Sequence, residues 1–221
     1  MIFSSSMWAL FGEGILETLY MVLLSTFSAY IIGLPLGIVL VCTDRGGIRP
    51  NRPLNSVLGF LVNFLRSVPF IVLLIAIQPF TRFVVGTSLG STATVVPLVV
   101  GSAPFVARMV ESSLKEVDQG VIEAAQSMGA TDWQIIWRVL LPEAKPSLVV
   151  GSAIAITTIL GYSAMSGFVG GGGLGDIAIR YGYYRYEYDV MLVTVILLVI
   201  IVQIFQELGM GISRKIDRRS H

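Results

Sequence analysis

The chain has 221 residues, of which 54% are hydrophobic and only 13% charged, with a formal net charge of +1 and a mean hydropathy of +0.80. Soluble domains carry about 25% charged residues, so this composition excludes an ordinary soluble protein and points to a membrane. The near-neutral charge lacks the basic footprint of a nucleic-acid binder, and a single cysteine, Cys42, excludes both an internal disulfide and a cysteine metal cluster.

In chain order, the first apolar run covers residues 15–41, with Glu13 and Glu17 at its start and Asp44 and Arg45 just past its end. It is too long for the core of a cleavable signal, and no basic segment precedes it. A second run, 57–80, contains Arg66. The third, 92–107, is short, and Pro97, Gly101 and Pro104 are expected to break it. A fourth, 148–168, has no charge and is rich in small and hydroxyl residues, which let helices approach closely. The fifth covers 189–211. At about 1.5 Å per residue each can cross a hydrocarbon core of about 30 Å, the third only marginally. An open strand would leave backbone groups unpaired in lipid, so the fold class is an all-α integral membrane protein with five transmembrane helices. No internal repeat and no separable soluble domain is visible; residues 1–221 read as a single transmembrane domain.

Between the third and fourth runs lies EAAQSMGATDWQIIWRVLLPEAKP, residues 123–146. Asp118 can cap a short helix, VIEAAQSM, on which Ala124, Ala125 and Met128 make an apolar face. Gly129 is placed to stop it in the left-handed conformation. Thr131 or Asp132 can cap a second helix, with Trp133, Ile136, Trp137 and Leu140 recurring at helical spacing until Pro142 ends or bends it. The result is a helix-turn-helix elbow; its spacing fits an interfacial linker as well as a docking device.

Basic residues orient the spans. Arg45, Arg49 and Arg52 lie between the first two, Arg108, Lys115, Arg138 and Lys145 flank the elbow, and Arg214, Lys215, Arg218 and Arg219 follow the last. Only Arg82, Arg180 and Arg185 fall on the other side. Cytoplasmic loops carry the excess, which puts the N-terminus outside, the C-terminus and the elbow inside.

Catalytic motifs fail. Gly170, Gly172 and Gly175 match G-x-G-x-x-G, but they follow a span instead of a strand in a βαβ unit, and a tightly packed re-entrant turn is the better reading. There is no P-loop, no metal-spaced cluster, and no histidine near Ser163, since His221 is terminal. The span acids Glu17, Asp189 and Glu207 lie near span ends, unlike the mid-membrane relays of ion-coupled carriers. The chain shows a path without an engine.

E-A-A-x-x-x-G-A followed by L-P, carried by Glu123, Ala124, Ala125, Gly129, Ala130, Leu141 and Pro142, resembles the EAA loop of ABC importer permeases. Over essentially the whole chain, stretches such as FLRSVPFIVLLIAIQPFTRFVVGTSLG and GYSAMSGFVGGGGLG look like the small five-span permeases of D,L-methionine importers. The resemblance implies a type I ABC importer permease fold in a bacterial inner membrane. It also implies two copies of the chain, two ATP-binding subunits that dock on a cytoplasmic loop at about residues 112–146, and an external substrate-binding lipoprotein. ATP and magnesium would sit on the ATPase, and this chain would bind no cofactor and catalyse nothing. Tyr162, Ser163 and Met165, on or just past the fourth span, are the candidate substrate path, Met165 being suited to a thioether. A permease for another amino acid or small polar solute, and a secondary carrier or channel, are the alternatives.

Cysteines introduced singly at Ser88 and Gln119 are expected to label from opposite sides of intact spheroplasts, Ser88 from outside. Labelling of both from outside would sink the five-span topology.

Overall fold

Lipid offers a backbone no hydrogen-bond partners, and the chain answers by being helical nearly throughout. The computed structural model describes residues 5–216, so Arg218, Arg219 and His221 lie outside the described residues. Four helices are long and apolar enough to cross a membrane: α1 (Ser5–Thr43), α5 (Ser91–Lys115), α9 (Lys145–Met165, continued by a 3-10 turn to Val169) and α11 (Tyr188–Ile216). Shorter helices connect them: α2 (Arg52–Ser67), α3 (Phe70–Ala76), α4 (Gln78–Val85), α6 (Gln119–Ser127), α7 (Asp132–Ile135), α8 (Leu141–Glu143) and α10 (Gly173–Ile177). No strand occurs among the described residues.

Two sequence expectations are corrected. The second run is not one helix. α2 and α3 meet at a 95° bend, and α4 follows after Ile77. Pro69 is the cause: it disfavours helical geometry at Val68 and then caps α3. Arg66 therefore sits exposed in the last turn of α2 and not deep in a span. Among the described residues a fifth crossing is available only as this bent pair, a broken span or a re-entrant loop. Conversely, α5 runs unbroken through Pro97 and Pro104. Each proline removes one N–H, but breaking the helix in an apolar setting would orphan many more backbone groups.

The chain divides into two compact units. The first holds residues up to Ser28, Val68–Ser102 and Ile156–Gln206. Its core gathers Phe11, Met21, Phe70, Leu98, Ile159 and Leu174, and the Phe70 ring stacks on Tyr162 with centroids 4.4 Å apart. The glycine tract is the expected tight turn. Gly167 and Gly175 pack so closely that a Cβ on Gly167 would strike the Gly175 backbone. The N–H of Gly173 donates to Glu17 Oε2 at 2.6 Å and that of Leu174 to Thr18 Oγ1 at 2.9 Å, which closes the buried start of α10. The N–H groups of Gly170 and Gly171 are likewise taken within the chain, by the Gly167 and Ser166 carbonyls. Asp176, also buried, pairs with Arg180.

The second unit holds Ala29–Ser67, Ala103–Ala155 and residues from Glu207 onward. Its seam is the crossing of α1 and α5, where Gly33 faces Val106 and Ala103, and Gly37 faces Ala107 and Val110. A Cβ on Gly37 would come within 2.7 Å of the Ala107 carbonyl oxygen and of Val110 Cβ. Only hydrogen fits there, and close backbone approach replaces the hydrophobic drive that lipid does not provide. α2 lies on this seam through Val62, packed with Leu40 and Ala107, and Asn55 Nδ2 donates to the Leu40 carbonyl at 2.7 Å.

Gly37→Ala is expected to lower detergent-solubilised stability by about 1–3 kcal/mol through overpacking. Gly12→Ala, where no atom lies within 4 Å of the added Cβ, is expected to be neutral or stabilising by up to about 1 kcal/mol. Thermal unfolding of the two variants checks the contrast; equal midpoints would mean the α1–α5 seam is not tight.

Candidate functional site

The elbow at residues 118–146 is built by local rules. Asp118 Oδ1 accepts from the N–H of Gly120 at 2.6 Å and caps α6 as the sequence predicts. The helix ends in a full Schellman motif: Gly129 takes φ +80°, Ala130 N–H donates to the Ala125 carbonyl at 3.1 Å, and Gly129 N–H to that of Gln126 at 2.9 Å. One residue later Thr131 caps α7 in a capping box with Gln134, their reciprocal bonds measuring 3.3 and 2.9 Å. Asp132 is the first residue of α7 and not its cap.

The second arm departs from the predicted α-spacing. Residues Ile136–Leu140 form a π turn, and Leu141 N–H donates five residues back to Ile136. Pro142 has no N–H for the carbonyl four residues before it, and the wider turn absorbs that mismatch, so the chain bends through α8 into α9 instead of stopping. The extra residue also changes the buried face. Ile135 and Leu140, five apart, are buried at 1% and 0% exposure. Trp133 and Trp137, expected on the apolar face, point outward at 67% and 51% and pack edge to face at 5.5 Å.

On the first arm Ala125 is buried, while Val121, Glu123, Ala124 and Met128 are exposed, Met128 at 81%. The apolar face predicted from Ala124, Ala125 and Met128 thus divides: one alanine anchors the helix and the rest form an outward strip with Glu123 beside it. Gly129 is exposed at the turn, Ala130 half-buried, and Leu141 and Pro142 stand at the far end of the second arm.

Sequence reasoning missed the charges that fix the elbow. Glu111, in α5 and 7% exposed, accepts from Arg108 at 2.5 Å and Lys115 at 2.9 Å. Lys115 also pairs with Asp44 at 2.8 Å, and Gln119 Nε2 donates to the Gly46 carbonyl at 3.3 Å. The 44–51 loop is thereby tied to the elbow's root. Hydrogen bonds from Lys115 first, then from the Arg45 N–H, hold the Asp44 carboxyl below its ordinary range. The signal lay in the spacing Arg108, Glu111, Lys115, which is the i,i+3 and i,i+4 pairing of a helix surface; ending the third run at residue 107 hid it.

The path candidates separate. Tyr162 is half-buried against Phe70. Ser163 is 1% exposed and donates to the Leu160 carbonyl at 2.8 Å, while Met165 is exposed.

Membrane-length helices, a bent crossing and an elbow with an outward apolar strip are the make-up of a multi-pass membrane permease. The chain belongs to the family described as binding-protein-dependent transport system inner membrane component, whose model matches residues 33–220. It is 52% identical over 203 residues to the probable D-methionine transport system permease protein MetI of Vibrio cholerae, covering 92% of this chain and 90% of that one. With the methionine import system permease protein MetP of Bacillus subtilis it shares 46% over 203 residues, 92% and 91% of the two chains. A solved structure of the MetNI methionine ABC transporter in an inward-facing conformation matches with a TM-score of 0.96 at 49% identity, covering 98% of this chain and all of that one.

Because the folded Asp44 carboxyl titrates below its unfolded value of about 3.9, it binds fewer protons when folded; its contribution is present above about pH 4 and lost as pH falls through the lowered value. Asp44→Asn is expected to lower the unfolding midpoint at pH 7, with the gap to wild type closing below about pH 4. A gap independent of pH would mean the carboxylate charge is not what Lys115 holds.

Proposed function

We propose that this chain is the translocation subunit of an ATP-driven methionine importer. The observation that carries this reading is the likeness to the MetNI transporter chain over 98% of this chain, together with relatives named for methionine transport in two distant bacteria. In this reading two copies of the chain pair, and each presents residues 112–146 on the cytoplasmic side to one of two ATP-binding subunits. The N-terminus lies outside and the C-terminus in the cytoplasm. A substrate-binding lipoprotein delivers methionine from outside, and ATP and magnesium are held by the ATPase.

The elbow's chemistry suits docking. Val121, Ala124 and Met128 form an apolar strip at i, i+3 and i+7 that stays exposed among the described residues, which fits a helix laid into a groove of a partner. Glu123 beside it adds a carboxylate for a basic or donor group on the ATPase. Ala125, Gly129 and Ala130 set the angle of that arm, and Leu141 and Pro142 join the second arm to α9. Tyr162 and Met165, half-buried and exposed, remain the proposed contacts to substrate in the path group. Ser163 supports them from within the helix.

Proteoliposomes holding the chain, its ATPase and the binding protein are expected to accumulate methionine only with ATP. Accumulation of another solute in its place would overturn the substrate and keep the permease. Glu123→Lys and Gly129→Val, the latter strained by roughly 1–3 kcal/mol at φ +80°, are expected to insert and pair normally but to lose ATPase association or stimulated phosphate release. Wild-type coupling in both would make the elbow an interfacial linker only.

A further inference from the structure

The second unit contains a cleft of about 610 Å³. Its walls are apolar and come from the end of α1 (Leu34, Ile38) and from the outward faces of Trp133, Ile136 and Trp137. Its mouth is formed by the 48–51 stretch and Asp132. The walls therefore belong to a membrane-length helix and to two exposed tryptophans, the residue type that collects where hydrocarbon meets water.

The mouth and its surroundings carry three basic residues, Arg45, Arg49 and Arg52, against two acids, Asp44 and Asp132. Arg49 lines it with a side chain 86% exposed, and its nearest carboxylate, Asp132, stands at 4.0 Å, the limit of an ion pair. Arg52 is adjacent to the lining residue Asn51, Arg45 is on the same loop, and both are exposed. The loop's own acid, Asp44, is held first by Lys115 at 2.8 Å and then faces Arg45, which leaves Arg49 and Arg52 to the mouth. An apolar slot under an arginine-rich mouth matches one kind of molecule, an amphiphile with an anionic head. Guanidinium groups hold phosphate oxygens through paired N–H donors, and basic clusters beside a membrane helix select anionic lipid.

We propose that this cleft holds an anionic phospholipid, with an acyl chain between α1 and the tryptophan pair and its phosphate on Arg49 and Arg52. The proposal rests on the inner-membrane placement of the chain and is independent of which solute is transported. The lipid fills the angle between α1 and the second arm of the elbow, so it sits against the same arm that leads into α9.

The test uses the assembled transporter in phosphatidylcholine vesicles doped with a photoactivatable acyl-chain diazirine lipid, either phosphatidylglycerol or phosphatidylcholine at the same mole fraction. Adducts are mapped by peptide mass spectrometry. Phosphatidylglycerol is expected to label residues 34–54 and 132–137 at least about five-fold more than phosphatidylcholine, the factor one arginine near an anionic surface supplies. The exposed side of α11, at Leu192, Val195, Ile196 and Val199, is expected to label alike with both. In a transporter carrying Arg49→Gln and Arg52→Gln the preference at the cleft falls toward one, while labelling of α11 is unchanged. Equal labelling of the cleft by both lipids in the wild type would overturn the proposal in favour of bulk lipid. A labelled α11 with an unlabelled cleft would overturn it in favour of a protein partner. No labelling of α11 would overturn the membrane placement and the proposal with it.

Discussion

Glu111 is the group on which the second unit depends. It is a buried carboxylate on an apolar helix, and it is tolerable only because two cations one turn away on either side donate to it. Neither cation ends there. Arg108 continues to the Gly59 carbonyl of α2 at 3.0 Å, and Lys115 continues to Asp44 in the loop after α1. One acid thus fixes three segments at once. Removing it would leave the half-buried Arg108 without its carboxylate, while Lys115 would keep only Asp44; losing one partner of a largely buried pair costs several kcal/mol. Its role is positional: it decides where α2 and the 44–51 loop lie against α5, and thereby where the elbow begins.

The seam of α1 and α5 carries the same unit by the opposite means. Charges fix the water-facing end, whereas Gly33 and Gly37 let two backbones touch farther along. In a lipid setting the apolar surface of a helix gains little from leaving one apolar environment for another, so shape fit and closely packed atoms determine which helices pair. The first unit solves a related problem at its glycine tract. There the backbone turns inside the protein, and Glu17 and Thr18 of α1 supply the acceptors that water would supply elsewhere.

Much of this was legible in the residues. Apolar length gave the crossings, and Asp118, Gly129 and Thr131 gave the elbow its ends, because caps and left-handed glycines act within a few residues of themselves. What was not legible depended on neighbours. Pro69 bends its crossing while Pro97 and Pro104 leave α5 unbroken, so the presence of proline alone does not say where an apolar run breaks. The π turn before Pro142 moved burial from Trp133 and Trp137 to Ile135 and Leu140, and no count by 3.6 anticipates an inserted residue. The direction of the Ser163 hydroxyl, toward the Leu160 carbonyl of its own helix, was likewise not legible from residue type.

The elbow's two ends are closed by its own bonds, the Schellman pair at Gly129 and the reciprocal pair of Thr131 and Gln134 only a residue apart. In mechanical terms this makes the bend a stiff joint. A flexible turn would absorb a push on the Val121, Ala124 and Met128 strip by opening or closing. Here each residue of the turn is held by a bond of its own, which favours the two arms moving as one. The compliance lies farther along, at the π turn of Ile136–Leu140, where the backbone bonds are already spaced more widely than in an α-helix. If a partner pushes on α6, a closed bend followed by that wider turn would pass the push toward α9, and the sequence between Gly129 and Pro142 would set the gearing.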